Sequence, residues 1–171
     1  ETDYIVRERH NPGADTSVAP QEWPVTHSGK IAAPAAARAT VLTEPYLLIL
    51  LAQRLQAQGP DKSMEVIVHT DLNFYRVRLT SGNGIPIDAD YTVTGQGSFS
   101  GPRETLAVAL QVSPEGTLAE DPDFSLLGLQ GEIILLFDRS SGLPLQIRGV
   151  APRIGATAIN LRSVTMREAR Q

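Results

Sequence analysis

The sequence predicts an α+β chain, mainly β: a curved, half-barrel-like antiparallel sheet wrapping one buried helix, with an extended N-terminal arm. Three observations carry this reading. From Met64 onward, apolar residues recur with the period-two rhythm of half-buried strands. One segment, Thr43 to Gln58, carries helix punctuation at both ends. Between His10 and Thr40 the chain is rich in proline, alanine and small polar residues, the composition of a loop. Residues 1–42 read as a strand and an arm, and residues 43–171 as the helix and sheet of one domain.

Tyr4-Ile5-Val6 and the charged residues after it form a first strand, ended by Asn11-Pro12-Gly13. It begins so close to residue 1 that we expect further strands before it. In the arm that follows, Trp23 is the one large anchor, expected to pin the segment by burying its ring.

The helix comes next, in TEPYLLILLAQRLQAQGPD. Thr43 is placed to cap it, Pro45 suits the first turn, and Gly59-Pro60 closes it. Tyr46, Leu47, Leu48, Ile49, Leu50, Leu51 and Leu55 make it apolar nearly all round, which predicts cover on more than one side. The apolar run from Tyr46 to Ala52 is far short of the ~20 residues that cross a bilayer.

Strands then follow in series. Met64 to His69 and Phe74 to Leu79 form an antiparallel hairpin with Tyr75, Val77 and Leu79 on one face and Arg76 and Arg78 on the other. Ala89 to Thr94 is a strand, and the glycine-rich GQGSFSG leads into another from Thr105 to Ser113. GEIILLFD, Gly131 to Asp138, is apolar on both faces, as suits a central strand covered twice. Ser140-Ser141-Gly142 turns the chain into a strand that opens at Pro144, where a missing N–H costs least. In the last segment Ile159 and Leu161 have one parity and Val164 and Met166 the other, which predicts a bulge or sharp bend near Arg162-Ser163.

Chemistry is sparse. The chain has no cysteine, so disulfide and thiolate chemistry are excluded. Its net charge is −4, and its arginines interleave with acids, which argues against a nucleic-acid partner. His10, His27 and His69 have no second ligand at metal spacing, so no metal is expected. Asp88 and Asp90 read as solvated carboxylates at a strand edge, and Glu120, Asp121 and Asp123 as turn-forming acids rather than a calcium loop. Ser98 and Ser100 lack the offsets of a nucleophile elbow, and the glycines around them open a strand instead of a phosphate-binding helix. No catalytic residue and no cofactor are expected.

Several short motifs resemble the bacterial domain-of-unknown-function family numbered 3108. They are Glu44-Pro45-Tyr46-Leu47-Leu48 opening the helix, Asp138 with Gly142-Leu143-Pro144-Leu145, and Gly155 and Leu161 in the closing strand. The resemblance spans about Thr43 to Met166. It implies an exported bacterial protein, periplasmic or envelope-associated, with a strongly curved antiparallel sheet. The arm before the helix is longer than that pattern, and the early strands of such a fold are expected to be absent or cut away.

The function expected first is a non-enzymatic envelope protein that binds an apolar ligand such as a lipid, or a protein partner, in the concavity of its sheet. Leu47, Leu48, Leu51 and Leu55, with Trp23, are its candidate lining residues. The alternative is an assembly module that pairs with another envelope protein through sheet edges and the N-terminal arm; an enzyme is the third reading. A carrier requires an open cavity beside the helix. A module requires filled packing there and an unpaired sheet edge.

Overall fold

The computed structural model describes residues 3–9, 18–32, 34–38, 40–70, 73–116 and 124–165. His10, Glu120, Asp121, Asp123 and Met166, singled out above, lie outside the described residues.

The chain is mainly β with one α-helix, as its periodicity indicates. Strands β1 (Asp3–Arg9) and β2 (Val25–Ala32) form an antiparallel ribbon. Then come the two-residue strand β3 (Leu42–Thr43) and helix α1 (Leu47–Gln56). Strands β4 (Ser63–His69), β5 (Phe74–Asn83), β6 (Ile87–Val93), β7 (Gly97–Arg103) and β8 (Thr105–Glu115) follow. The last are β9 (Gln130–Asp138), β10 (Pro144–Ala151), β11 (Gly155–Asn160) and β12 (Ser163–Val164).

Seven of these strands form one sheet in the order β11-β10-β9-β8-β5-β4-β3, antiparallel except where β3 joins β4. Strands β5 and β8 pair directly although two strands separate them in sequence. The intervening β6–β7 hairpin leaves the large sheet after Asn83, returns at Thr105, and forms a second sheet with β12.

The large sheet is apolar under the helix, and its other face is apolar at two ends with Arg76, Arg78 and Gln111 between them. On one face Val66, Val68, Tyr75, Val77, Leu79, Val108, Ile133, Leu135 and Phe137 pack under Leu48, Ala52 and Leu55 of α1. On the other, Leu136 and Leu145 meet Ile87, Tyr91 and Val93 of the small sheet. At the far end of that same face Ile67 and Phe74 are covered by Ala36 and Leu42 from the segment before the helix. β9 is thus covered twice, as its doubly apolar sequence predicts.

Four expectations are corrected. The segment from His10 to Thr40 is not all loop, since Val25–Ala32 is a strand and two short 3-10 turns flank it. Thr43 does not cap the helix: it lies in β3, and the helix begins after Tyr46 with no side-chain cap. The helix is not covered all round, because Tyr46 is 62% and Leu50 55% exposed, with Leu47 beside them. GQGSFSG is largely strand β7, where Phe99 stacks on Tyr91 with ring centres 5.3 Å apart.

The phase slip near Arg162 has a sharper cause than a bulge. Leu161 still bonds to the large sheet, its N–H donating to Leu145 at 2.8 Å. Two residues later Ser163 and Val164 run parallel to β6 in the small sheet. The apolar residues change parity because the chain changes sheets, and Leu161 and Val164 both pack into the core between the two sheets.

Candidate functional site: an open sheet edge

The residues expected to line an apolar site do not converge. Leu48 and Leu55 are buried against the sheet, and Leu51 is half-buried beside them. Leu47 sits on the exposed side of the helix. Trp23 lies in the β1–β2 connection, where its indole N–H donates to the Val18 carbonyl at 3.0 Å and its own carbonyl accepts from the Arg9 guanidinium at 2.6 Å. Its anchor is therefore the ribbon itself. Where α1 meets the sheet, Leu48, Ala52 and Leu55 pack on aliphatic and aromatic side chains, Tyr75 and Phe137 among them.

Two clefts lie elsewhere. One, of about 280 Å³, is on the polar strip of the large sheet, lined by Glu65, Arg76, Arg78 and Gln111. Arg76 is held there between Glu65 and Glu115, 2.9 Å from the latter, and its pKa is raised, first by the hydrogen bond to Glu65 and then by that to Glu115. The other, of about 220 Å³, lies where the two sheets meet and is lined by Asp88, Asp90, Gln146, Asn160 and Arg162 over an apolar floor. Asp88 and Asp90 are exposed, and Asp90 pairs with Arg162 at 3.4 Å. Among the described residues no group of three or more metal-ligating side chains comes together. No helix there is long and apolar enough to cross a membrane.

The best-ordered polar constellation closes the β9–β10 hairpin. Asp138 is buried, and its carboxylate accepts hydrogen bonds from the Ser140 hydroxyl, the Ser141 hydroxyl and the Ser141 N–H at 2.6, 2.6 and 2.9 Å. Burial alone would push its pKa up. The three hydrogen bonds and the positive charge of Arg103 outweigh it and leave the carboxyl below its ordinary value. All three bonds go to Oδ2 and come from its own turn, so the group shapes the hairpin.

Next to that hairpin's far strand is the outer edge of the large sheet, β11. Leu161 and Leu145 are a hydrogen-bonded pair, and the register runs on through Ile159 with Ile147 and Thr157 with Gly149. In an antiparallel ladder alternate residues bond inward. It follows that the N–H and C=O groups of Ala156, Ala158 and Asn160 point away from β10, into solvent.

Native edges are blunted by charge, proline, bulges or shortness. β7 has Pro102 and Arg103, β1 has four charged residues and β2 has Lys30, while β3 and β12 are two residues long. β11, with the sequence GATAIN, has six residues with neither charge nor proline. Ala156, Ala158, Ile159 and Asn160 are exposed, and Ile154, in the turn leading in, is 80% exposed. Sequence reasoning reads this strand's apolar parity but not its position at an edge, because edge position depends on which strands pair. The composition of GATAIN is the one local signal that could have marked it.

No family model matches the chain, and no curated protein and no solved structure matches it.

Proposed function

We propose that this domain is a non-enzymatic interaction module that binds a polypeptide by adding an extended strand to β11. The observation that carries the reading is the unprotected edge: Ala156, Ala158 and Asn160 direct outward backbone groups that are unpaired among the described residues, from a strand without charge or proline. Strand addition recovers main-chain hydrogen bonds along the edge, and the neighbouring Ile154 and Ile159 offer apolar contact.

Filled packing under the helix favours this reading over a carrier of an apolar ligand. Leu48, Ala52 and Leu55 are already in contact with sheet side chains, so a lipid would have to displace them. The proposal keeps the module in the bacterial envelope, on the strength of the sequence resemblance over about Thr43 to Met166.

The test compares the wild-type protein with Ala158→Pro as baits in an extract of the native cells, followed by mass spectrometry of what stays bound. Proline at 158 removes an outward donor without taking a bond from β10. The proposal expects one polypeptide recovered with the wild type and lost with Ala158→Pro. A partner retained equally by both, or a co-purifying lipid in place of a polypeptide, contradicts it.

A further inference from the structure

The β11 edge has complementary ends. At its hairpin end stand the exposed Arg153 and Ile154; at its other end the chain runs into Arg162, which pairs with Asp90 in the cleft that Asp88 also lines. The strand between is uncharged. A surface that is cationic at one end, anionic at the other and neutral between matches a copy of itself turned end for end.

We infer that the polypeptide added to β11 is a second copy of this chain, paired antiparallel about a two-fold axis through Ala158; the inference rests on the strand-addition reading above. A two-fold interface is isologous, so each contact is made twice. With Ala158 opposite itself, Ala156 falls opposite Asn160 of the partner copy, and every outward-directed residue of β11 gains a partner. Each such pair exchanges both of its N–H···O bonds. Sliding the register by two residues leaves an outward residue of each copy unpaired.

The same register brings the Arg153 end of one copy to the end of the partner copy that holds Asp88, Asp90 and Arg162. Two carboxylates stand there against one guanidinium, so the incoming cation is attracted. A parallel arrangement would instead set the two Arg153 guanidinium groups side by side. Ile154, 80% exposed in the turn beside Arg153, is carried to that same end of the partner copy. Ala156 and Ala158 share one face of β11 and are small enough to let the two backbones approach there.

Sedimentation velocity over a concentration series tests this directly. The wild type is expected to pass from monomer to dimer, and Ala158→Pro to stay monomeric with an unchanged circular dichroism spectrum. If that variant fails to fold, Ala158→Lys replaces it, since its exposed side chain sets like charges together at the axis. Arg153→Glu should weaken dimerisation by about two- to thirty-fold, the range for two exposed ion pairs. Mixing Arg153→Glu with Asp88→Arg should favour the mixed dimer over either parent. A wild type that is monomeric at every concentration overturns the inference, and if it still captures a foreign polypeptide in a manner that Ala158→Pro abolishes, strand addition itself survives. A dimer indifferent to both substitutions at Ala158, or one that Arg153→Glu leaves as tight, overturns the inference too.

Discussion

Leu135 and Leu136 are neighbours on β9, both buried, yet they belong to different cores: Leu135 packs under the helix, and Leu136 packs against the small sheet. Strand geometry alone sends them to opposite faces. What the fold adds is a cover for each. Leu135→Ala and Leu136→Ala should therefore each destabilise the protein by about 2–5 kcal/mol in chemical denaturation. If only the first does so, the small sheet is not packed as described.

Asp138 links stability to pH. Its carboxyl lies below the ordinary range in the folded state because the Ser140 and Ser141 hydrogen bonds outweigh burial. A group so depressed stabilises the fold fully above its unfolded pKa, about 3.9, and loses that contribution as pH falls through the lower folded value. The stability of the wild type should fall more steeply below about pH 4 than that of Asp138→Asn. Asp138→Ala leaves the Ser141 N–H without its acceptor and should cost about 1–3 kcal/mol at neutral pH.

Gly84 stands where the chain leaves the large sheet, and its N–H donates to the Thr105 carbonyl, at the point of return, at 3.1 Å. A Cβ on Gly84 would lie 2.1 Å from Thr105 Oγ1 and 2.8 Å from the Thr105 carbonyl carbon and oxygen. That hydroxyl is engaged, donating to the Ile85 carbonyl at 2.7 Å. Gly84→Ala should prise apart the base of the folded-over hairpin and lower stability by about 1–3 kcal/mol, measured by thermal or urea unfolding. An unchanged midpoint would mean that the crossing is looser than drawn here.

The two sides of α1 should respond differently. Leu48→Ala opens a cavity in the core and should cost about 2–5 kcal/mol, whereas Leu50→Ser on the exposed side should stay within about 0.5 kcal/mol. A large loss at Leu50 would show that something covers this face in solution.

How much of this was legible in the sequence can be argued residue by residue. Period two placed Tyr75, Val77 and Leu79 on one face, and the doubly apolar GEIILLFD identified β9 as a covered central strand, because both patterns are local. Ser140-Ser141-Gly142-Leu143-Pro144 marked its turn through side-chain chemistry that acts within a few residues. The β6–β7 hairpin was harder. Val93 and Ile87 indicate one buried face, but nothing local says that this face lies on a second sheet. β7 was missed because Phe99 is its one large apolar residue, and its glycines read as the entry to the strand that follows. β2 was hidden by the prolines and alanines around it. The parity change between Leu161 and Val164 was visible, and its cause, a transfer between sheets, is a long-range event. The candidate site was the least legible part: leucine periodicity pointed to the helix, while an edge exists only once the order of pairing is known.

Amide hydrogen exchange along β11, measured residue by residue with the captured polypeptide absent and present, tests the central claim most directly. The account predicts that Thr157 and Ile159, bonded to β10, are protected in both states, and that Ala156, Ala158 and Asn160 exchange freely alone and become protected when the added strand is bound. Protection that appears instead around Tyr46, Leu47 and Leu50, with Ala156, Ala158 and Asn160 unchanged, would contradict it.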